Sequence, residues 1–388
     1  MRWRAAEGYT CVRLEGQNYL LPYGQKIVDF HMGLQINETG ALLWNALGDG
    51  AGEEELLEML CGHFEAKEDE IPQIRQDLQE FLGQLAQRGA AVREECPDYA
   101  ARYSSQPLFF RAGSFRIAYG GPEPVYEKYF RRFACEGGEA DQRAEVMPCR
   151  PLATQNGRVL VRSGDFILME ARAGYIMLFP AFPDIYEMHV SRDGSLCRVC
   201  CSPEMSEEEQ EHIFHALRFA FLVLAQSHGL TVVHSSSLLY GNRAWLFSGR
   251  SGTGKSTHAN LWRDAWGTEL LNGDLNCLGL KEDKVWVYGI PWCGTSGIAT
   301  PETYPLGGVA FLKQWKENLV QELTEAEKAC QLAMRMITPT WTAEMLKQNL
   351  ALAERIVRHC MAARLLCTGE REAAEVMRRH IDGYCGRQ

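Results

Sequence analysis

The segment Gly249-Arg250-Ser251-Gly252-Thr253-Gly254-Lys255-Ser256 fits the pattern GxxxxGK[S/T], and the chemistry of that pattern is phosphate binding. Glycines let backbone amides wrap around phosphate oxygens. Lys255 reaches the β and γ phosphates of a nucleoside triphosphate, and the Ser256 hydroxyl can ligate Mg²⁺, with Thr257 next in the helix that must follow. The alternative is a glycine-rich turn that only caps a helix. The flanks favour phosphate: the strand-like Ala244 to Phe247 precedes the loop, and Thr257 to Trp262 continues as a helix.

A triphosphate site also needs a carboxylate for the metal or for the attacking hydroxyl, and Asp274 in LLNGDLNCL is the candidate. Asn272-Gly273 just before it favours hairpins, so a plain turn aspartate is the competing reading. His234 ends the strand-like LTVVH and precedes three serines. With its ordinary pKa near neutrality it can contact phosphate or assist proton transfer, although a lone histidine also serves as a structural residue. The segment Gly289 to Gly297, GIPWCGTSG, is a loop suited either to shaping a substrate cleft or to a structural turn.

The elements that position these residues follow from hydrophobic periodicity. TCVRL, NYLLPY and KIVDF, within residues 9–32, read as short strands, the last being Lys26 to Phe30. Asn37 is a candidate N-cap for a helix over TGALLWNAL, EEELLEMLCGHF gives a second, and IPQIRQDLQEFLGQLAQR gives a third that stops at Gly89. Residues 96–105 read as a linker. From Leu108 to Cys201 short alternating apolar runs predict strands, with the aromatic series Phe109, Phe110, Phe115, Tyr119, Tyr126, Tyr129 and Phe130 as core. Behind a Ser206-x-x-Glu209 capping box, Ile213, Leu217, Phe221 and Leu224 share one helical face. Strands extend to about Leu312, and the last 65 residues read as helical, with helices over 323–336 and 342–361 for packing or an oligomer surface.

The spacing of His234, the loop Gly249 to Ser256 and Asp274 resembles the catalytic domain of HPr kinase and its serine-kinase relatives, over Ser206 to Ile381. The resemblance implies that Lys255 binds phosphate, Ser256 holds Mg²⁺ and Asp274 acts as base on a serine hydroxyl, with His234 in the place of the family histidine. The chain departs from that family at Asp274-Leu275, where paired aspartates are usual, and at Trp286 to Gly289, where an acidic and arginine-bearing strand is usual. The segment 289–297 looks like the loop of HPr-kinase-like proteins that accompany peptide modification. LQINETGALLWNALGDGAGEEELLEML, the third helix and Gly89-Ala90-Ala91-Val92 resemble PqqD and related recognition elements, over residues 9–94. That likeness implies a winged-helix domain that binds the leader of a ribosomally made precursor peptide as an added strand, on 26–30 and beside the helix 71–87.

Composition narrows the classes further. The chain has 388 residues, 46% hydrophobic and 23% charged, with a formal charge of -10. That balance argues against a general nucleic-acid or anionic-membrane binder. No apolar run is long enough to span a bilayer and the N-terminus lacks the apolar core of a signal peptide, so a cytoplasmic protein with reduced thiols is expected despite 14 cysteines. Cys197, Cys200 and Cys201 read as buried thiols rather than zinc ligands, and Cys293 is the thiol to test for reactivity.

The sequence thus predicts an α/β multidomain chain: a PqqD-like winged helix over 1–95, a β-rich region over 106–205 and an HPr-kinase-like P-loop α/β catalytic domain over 206–388 with a helical C-terminal tail. The expected activity is ATP- and Mg²⁺-dependent phosphorylation of a Ser or Thr of a leader-bound precursor peptide, with other maturation enzymes or a second copy of the chain as further partners. A small-molecule kinase, a nucleotide-gated peptide-presenting adaptor and an acyl-phosphate-forming hydrolase or ligase are the alternatives.

Overall fold

The computed structural model describes residues 2–6, 8–28, 33–48, 50–94, 106–148, 157–171 and 173–386. They fall into two compact units that divide near residue 102; the expected linker, 96–105, lies outside the described residues.

The first unit runs β1 (Arg2–Ala5), β2 (Tyr9–Leu14), β3 (Gln17–Pro22), α1 (Gln25–Val28), β4 (Leu34–Ile36), α2 (Glu38–Gly48), β5 (Ala51–Gly52), α3 (Glu53–Phe64), α4 (Ile71–Gln87) and β6 (Ala91–Glu94). Two small antiparallel sheets, β5-β1-β6 and β2-β3-β4, flank the helices. The Asn37 side chain accepts the Gly40 amide at 2.7 Å, so the expected N-cap forms. Leu47, Leu56, Leu78, Leu82 and Leu85 are buried between the helices. Each contributes about 1.5–3 kcal/mol through burial, which is what holds so small a unit together. The expected strand over Lys26 to Phe30 is corrected: residues 25–28 form a helical turn, while Asp29 and Phe30 lie outside the described residues. A short apolar run has too few repeats for its period to separate strand from helix.

The second unit opens with β7 (Leu108–Ala112), β8 (Phe115–Gly120), α5 (Glu123–Val125), β9 (Gln142–Pro148), β10 (Arg158–Arg162), β11 (Ile167–Ala171), β12 (Gly174–Leu178), β13 (Ile185–Ser191) and β14 (Leu196–Cys201). These strands make one sheet, ordered β10-β11-β12-β13-β14-β9-β8-β7. Phe110, Phe115, Tyr119, Tyr126 and Phe130 are buried in its core, as are Cys197, Cys200 and Cys201 on β14. Helix α6 (Gln210–Ser227) touches this sheet through β9, β13 and β14 and a second sheet through β15 (Leu230–Tyr240). Its expected face, Ile213, Leu217, Phe221 and Leu224, is buried, and so is most of the remaining circumference, as a helix between two sheets requires. The Ser206–Glu209 box forms reciprocally one turn ahead of it.

The second sheet contains β15, β16 (Arg243–Ser248), β17 (Leu270–Asn272), β18 (Leu275–Lys281), β19 (Lys284–Tyr288), β20 (Tyr304–Gln314), β21 (Leu319–Gln321) and β22 (Met361–Cys367). Strands β16, β20 and β22 run parallel side by side. Helix α7 (Lys255–Trp266) and α10 (Arg371–Cys385) share a core with one face, through Trp262, Met377 and Ile381. Helices α8 (Glu325–Ala333) and α9 (Ala343–Val357) share a core with the other, through Leu332, Ile356 and Val357. The expected all-helical C-terminal tail is therefore corrected by β22. MAARLLC is covered on both faces, so it shows no alternation and its apolar run continues the helical pattern of α9.

Candidate active site

The site begins with a break in one edge-to-edge strand pairing. Strand β15 pairs with β18 up to His234↔Leu275 and with β17 from Ser237↔Asn272, both antiparallel. Gly273 and Asp274 therefore form a bend between two collinear strands that keep one register, so Asn272-Gly273, which favours hairpins, makes none here. The side chain of Asn272 sets the bend. Its Oδ1 accepts the amides of Asp274 and Leu275, each at 2.9 Å, and its Nδ2 donates to the Trp292 carbonyl at 3.1 Å. The bend sets Asp274 Oδ1 3.0 Å from His234 Nε2. The hydrogen bond from His234, with the charges of Lys255 and Arg218, holds the Asp274 carboxyl below its ordinary range although burial opposes it. Asp274 is thus ionised at neutral pH.

The Gly249–Ser256 loop joins β16 to α7. Thr253 fastens it: its hydroxyl and its amide both donate to the Arg250 carbonyl, at 2.7 and 3.2 Å. Gly254, at φ +91°, turns the chain into α7, a backbone conformation that side-chain-bearing residues rarely adopt. The free amides at the start of α7 and its dipole favour an anion there. Lys255 is buried, and its Nζ makes one long contact, 3.5 Å, to the Gly249 carbonyl. Burial lowers its pKa, with Asp274 opposing and the positive charge of Arg335 adding to the effect.

Two arginines that sequence reasoning missed complete the charge pattern. Arg335, between α8 and α9, gives its carbonyl to the His234 amide at 2.8 Å, and its Nε is buried without a hydrogen-bond partner. Burial and the nearby charge of Arg250 lower its pKa. Arg218, on α6, is pushed down by burial and held up by Asp274. Arg335 thus meets like charge from both Lys255 and Arg250, a cost that an anionic ligand would relieve. A triphosphate fits that need. Mg²⁺ takes oxygen ligands and few carboxylates, so Ser256 Oγ and Asp274, both on the wall of one cleft, fit it together with phosphate oxygens.

The segment 289–297 divides into two halves. Ile290 and Trp292 are buried, and Trp292 Nε1 donates to the Phe214 carbonyl at 2.9 Å. The exposed half passes Asp274 closely: a Cβ on Gly294, whose φ is +59°, would lie 2.9 Å from Asp274 Cγ. One loop thus holds a buried half and an exposed half on the wall of a cleft. Cys293, Thr295 and Ser296 line an open cleft of about 390 Å³ whose other walls are β15, β17 and α7. The Cys293 thiol is pushed up by burial, so at neutral pH it is not a thiolate nucleophile.

The structure therefore brings His234, Asp274, Lys255 and Ser256 to one place, together with the loop residues Arg250, Ser251, Gly252 and Thr253. Thr257 lies in the first turn of α7. Residues 27–90 match the family model of coenzyme PQQ synthesis protein D (PqqD). The stretch takes in β4 and helices α2 to α4 and stops just before β6. No curated protein matches the chain. Among solved structures, the HPr(Ser) kinase/phosphatase from Coxiella burnetii is similar at 12% identity over 38% of this chain and 95% of its own, with a TM-score of 0.24. Among the described residues no helix is long and apolar enough to cross a membrane.

Proposed function

We propose that this chain is an ATP-dependent kinase that phosphorylates a Ser or Thr hydroxyl of a ribosomally synthesised precursor peptide held by the first unit. The observation that carries the reading is the buried Lys255 at the end of the glycine-rich loop together with Asp274, whose Oδ1 lies 3.0 Å from His234 Nε2. Lys255, Arg250 and Arg335 would neutralise the phosphates, and the amides of the loop would fix them for in-line transfer. Mg²⁺, held by Ser256 and Asp274 with the phosphates, would offset the remaining charge. Asp274 takes the proton of the acceptor hydroxyl as its oxygen bonds to the γ phosphorus and the bond to ADP breaks. His234 orients the Asp274 carboxylate for that task.

The PqqD match supports a peptide partner for the first unit. With 25–28 helical, the strand that can accept a leader is β4, which pairs with β3 and ends the sheet β2-β3-β4 among the described residues. The helix that packs on β4 is α2, and α4 reaches it through Phe81: a Cβ on Gly40 of α2 would lie 3.1 Å from Ile36 of β4 and 3.2 Å from the Phe81 ring. An edge with a helix alongside is the setting for strand addition. Tethering the leader raises the concentration of the acceptor segment at the second unit.

Transfer is tested with the full chain, Mg-ATP labelled in the γ phosphate and serine-containing peptides. Label on peptide serine, lost in Asp274→Asn, is the expected result. Mg-ATP binding without transfer to any peptide would replace the kinase by a nucleotide-gated adaptor.

A further inference from the structure

We propose that the acceptor Ser or Thr carries an acidic side chain three or four residues away, and that Arg263 binds this carboxylate. The inference rests on the kinase reading and adds the class of peptide that the site takes. The open cleft runs from Ser256 and Asp274 at one end to Arg263 and Leu270 at the other. Its length follows from two independent rulers. Ser256, Ala259, Asn260 and Arg263 recur on one face of α7, so seven residues of helix span roughly 10 Å. Leu270 to Asp274 along β17 and the bend covers four steps of extended chain, roughly 13 Å. A peptide whose hydroxyl sits at Asp274 therefore reaches Arg263 three to four extended residues further on, at roughly 3.3 Å each.

The lining selects the chemistry. Ser236 and Ser237 already donate their hydroxyl protons, to the Gly273 carbonyl at 2.9 Å and to Asn276 Oδ1 at 2.6 Å, so this wall offers acceptors rather than charge. Among the described lining residues the negative charge is Asp274 and the positive charge is Arg263, at opposite ends. Arg263 pairs with its neighbour Asp264 at 3.0 Å, but both side chains are at least half exposed. Such a pair is weak, so a substrate carboxylate that engages the guanidinium through two parallel hydrogen bonds displaces it. Leu270 beside Arg263 gives the aliphatic part of an Asp or Glu side chain an apolar contact.

The test uses the full chain and synthetic decapeptides, each with one Ser in an Ala and Gly background and one Asp placed one to four residues to either side. They are supplied at millimolar concentration in place of the leader tether. We expect kcat/KM to peak with the acid three or four residues from Ser on one side, at least about tenfold above the all-neutral peptide. Arg263→Glu should reverse the preference toward Lys at the same position while leaving the Kd for Mg-ATP unchanged. Transfer indifferent to the acid's position, or an Arg263→Glu effect that falls on the Kd for Mg-ATP instead, overturns the inference and leaves the kinase reading standing. Mg-ATP binding with no transfer to any peptide overturns both.

Discussion

The two sides of Asp274 differ in kind. Toward the Gly249–Ser256 loop stand Lys255, Arg250 and Arg335, cations that feel one another's charge, with a buried Arg335 nitrogen left without a hydrogen bond. Toward the cleft the walls are hydroxyls and amides, with Arg263 at the far end. The first side stores electrostatic strain that almost any polyphosphate relieves, whereas the second discriminates by hydrogen-bond geometry and distance. Asp274 belongs to both. Substitutions should therefore divide into those that weaken nucleotide binding and those that change the acceptor, with Lys255 and Asp274 acting on the transfer itself.

The strongest way to break that division is Lys255→Ala, which should lower the transfer rate by more than about 10³-fold. Rates under saturating peptide check it, and a variant that kept even a tenth of its turnover would remove the lysine from the phosphate site. Next, Asp274→Asn should lower kcat by roughly 10²–10³-fold with the Kd for nucleotide changed less than about threefold. Arg335→Ala should raise the Kd for Mg-ATP about tenfold, as the loss of a charged hydrogen bond does, and leave the KM for peptide alone; calorimetric titration reads the first and steady-state kinetics the second. A smaller effect is expected for Gly294→Ala, which strains a left-handed position by about 1–2 kcal/mol and presses on Asp274, so kcat should fall several-fold with little change in nucleotide affinity.

The last prediction concerns stability alone. His258, on α7, is buried, accepts from Trp262 Nε1 at 3.2 Å and has its pKa pushed down by burial to about 4. Because the folded value lies below the unfolded one, the stability it contributes is complete above pH ~6.5 and is lost as the pH falls toward ~4, by roughly 3 kcal/mol. Thermal unfolding across that window should show the loss, and His258→Gln should flatten it, while neither changes transfer at neutral pH.

How much of this was legible in the sequence depended on whether the signal was local. The loop, the helix caps at Asn37 and Ser206 and the apolar face of α6 each lie within one element, and each was readable. His234 and Asp274 were named from spacing, but their contact depends on a bend between paired strands that no propensity scale encodes. Arg218 and Arg335 could not be found at all. One sits on a helix that otherwise reads as core, the other just past a helix end, where a basic residue ordinarily meets the last carbonyls. The strand β22 and the turn at 25–28 were misread for a related reason: a strand covered on both faces loses its alternation, and four residues are too few to display a period.

Single-turnover transfer from γ-labelled ATP to serine peptides, with the intact chain and with Asp274→Asn at equal nucleotide occupancy, tests the central claim most directly. We expect label on the serine hydroxyl with the intact chain and at least roughly a hundredfold slower transfer with the variant. Equal transfer by both proteins would contradict the assignment of Asp274, and label released only as inorganic phosphate would contradict the kinase itself.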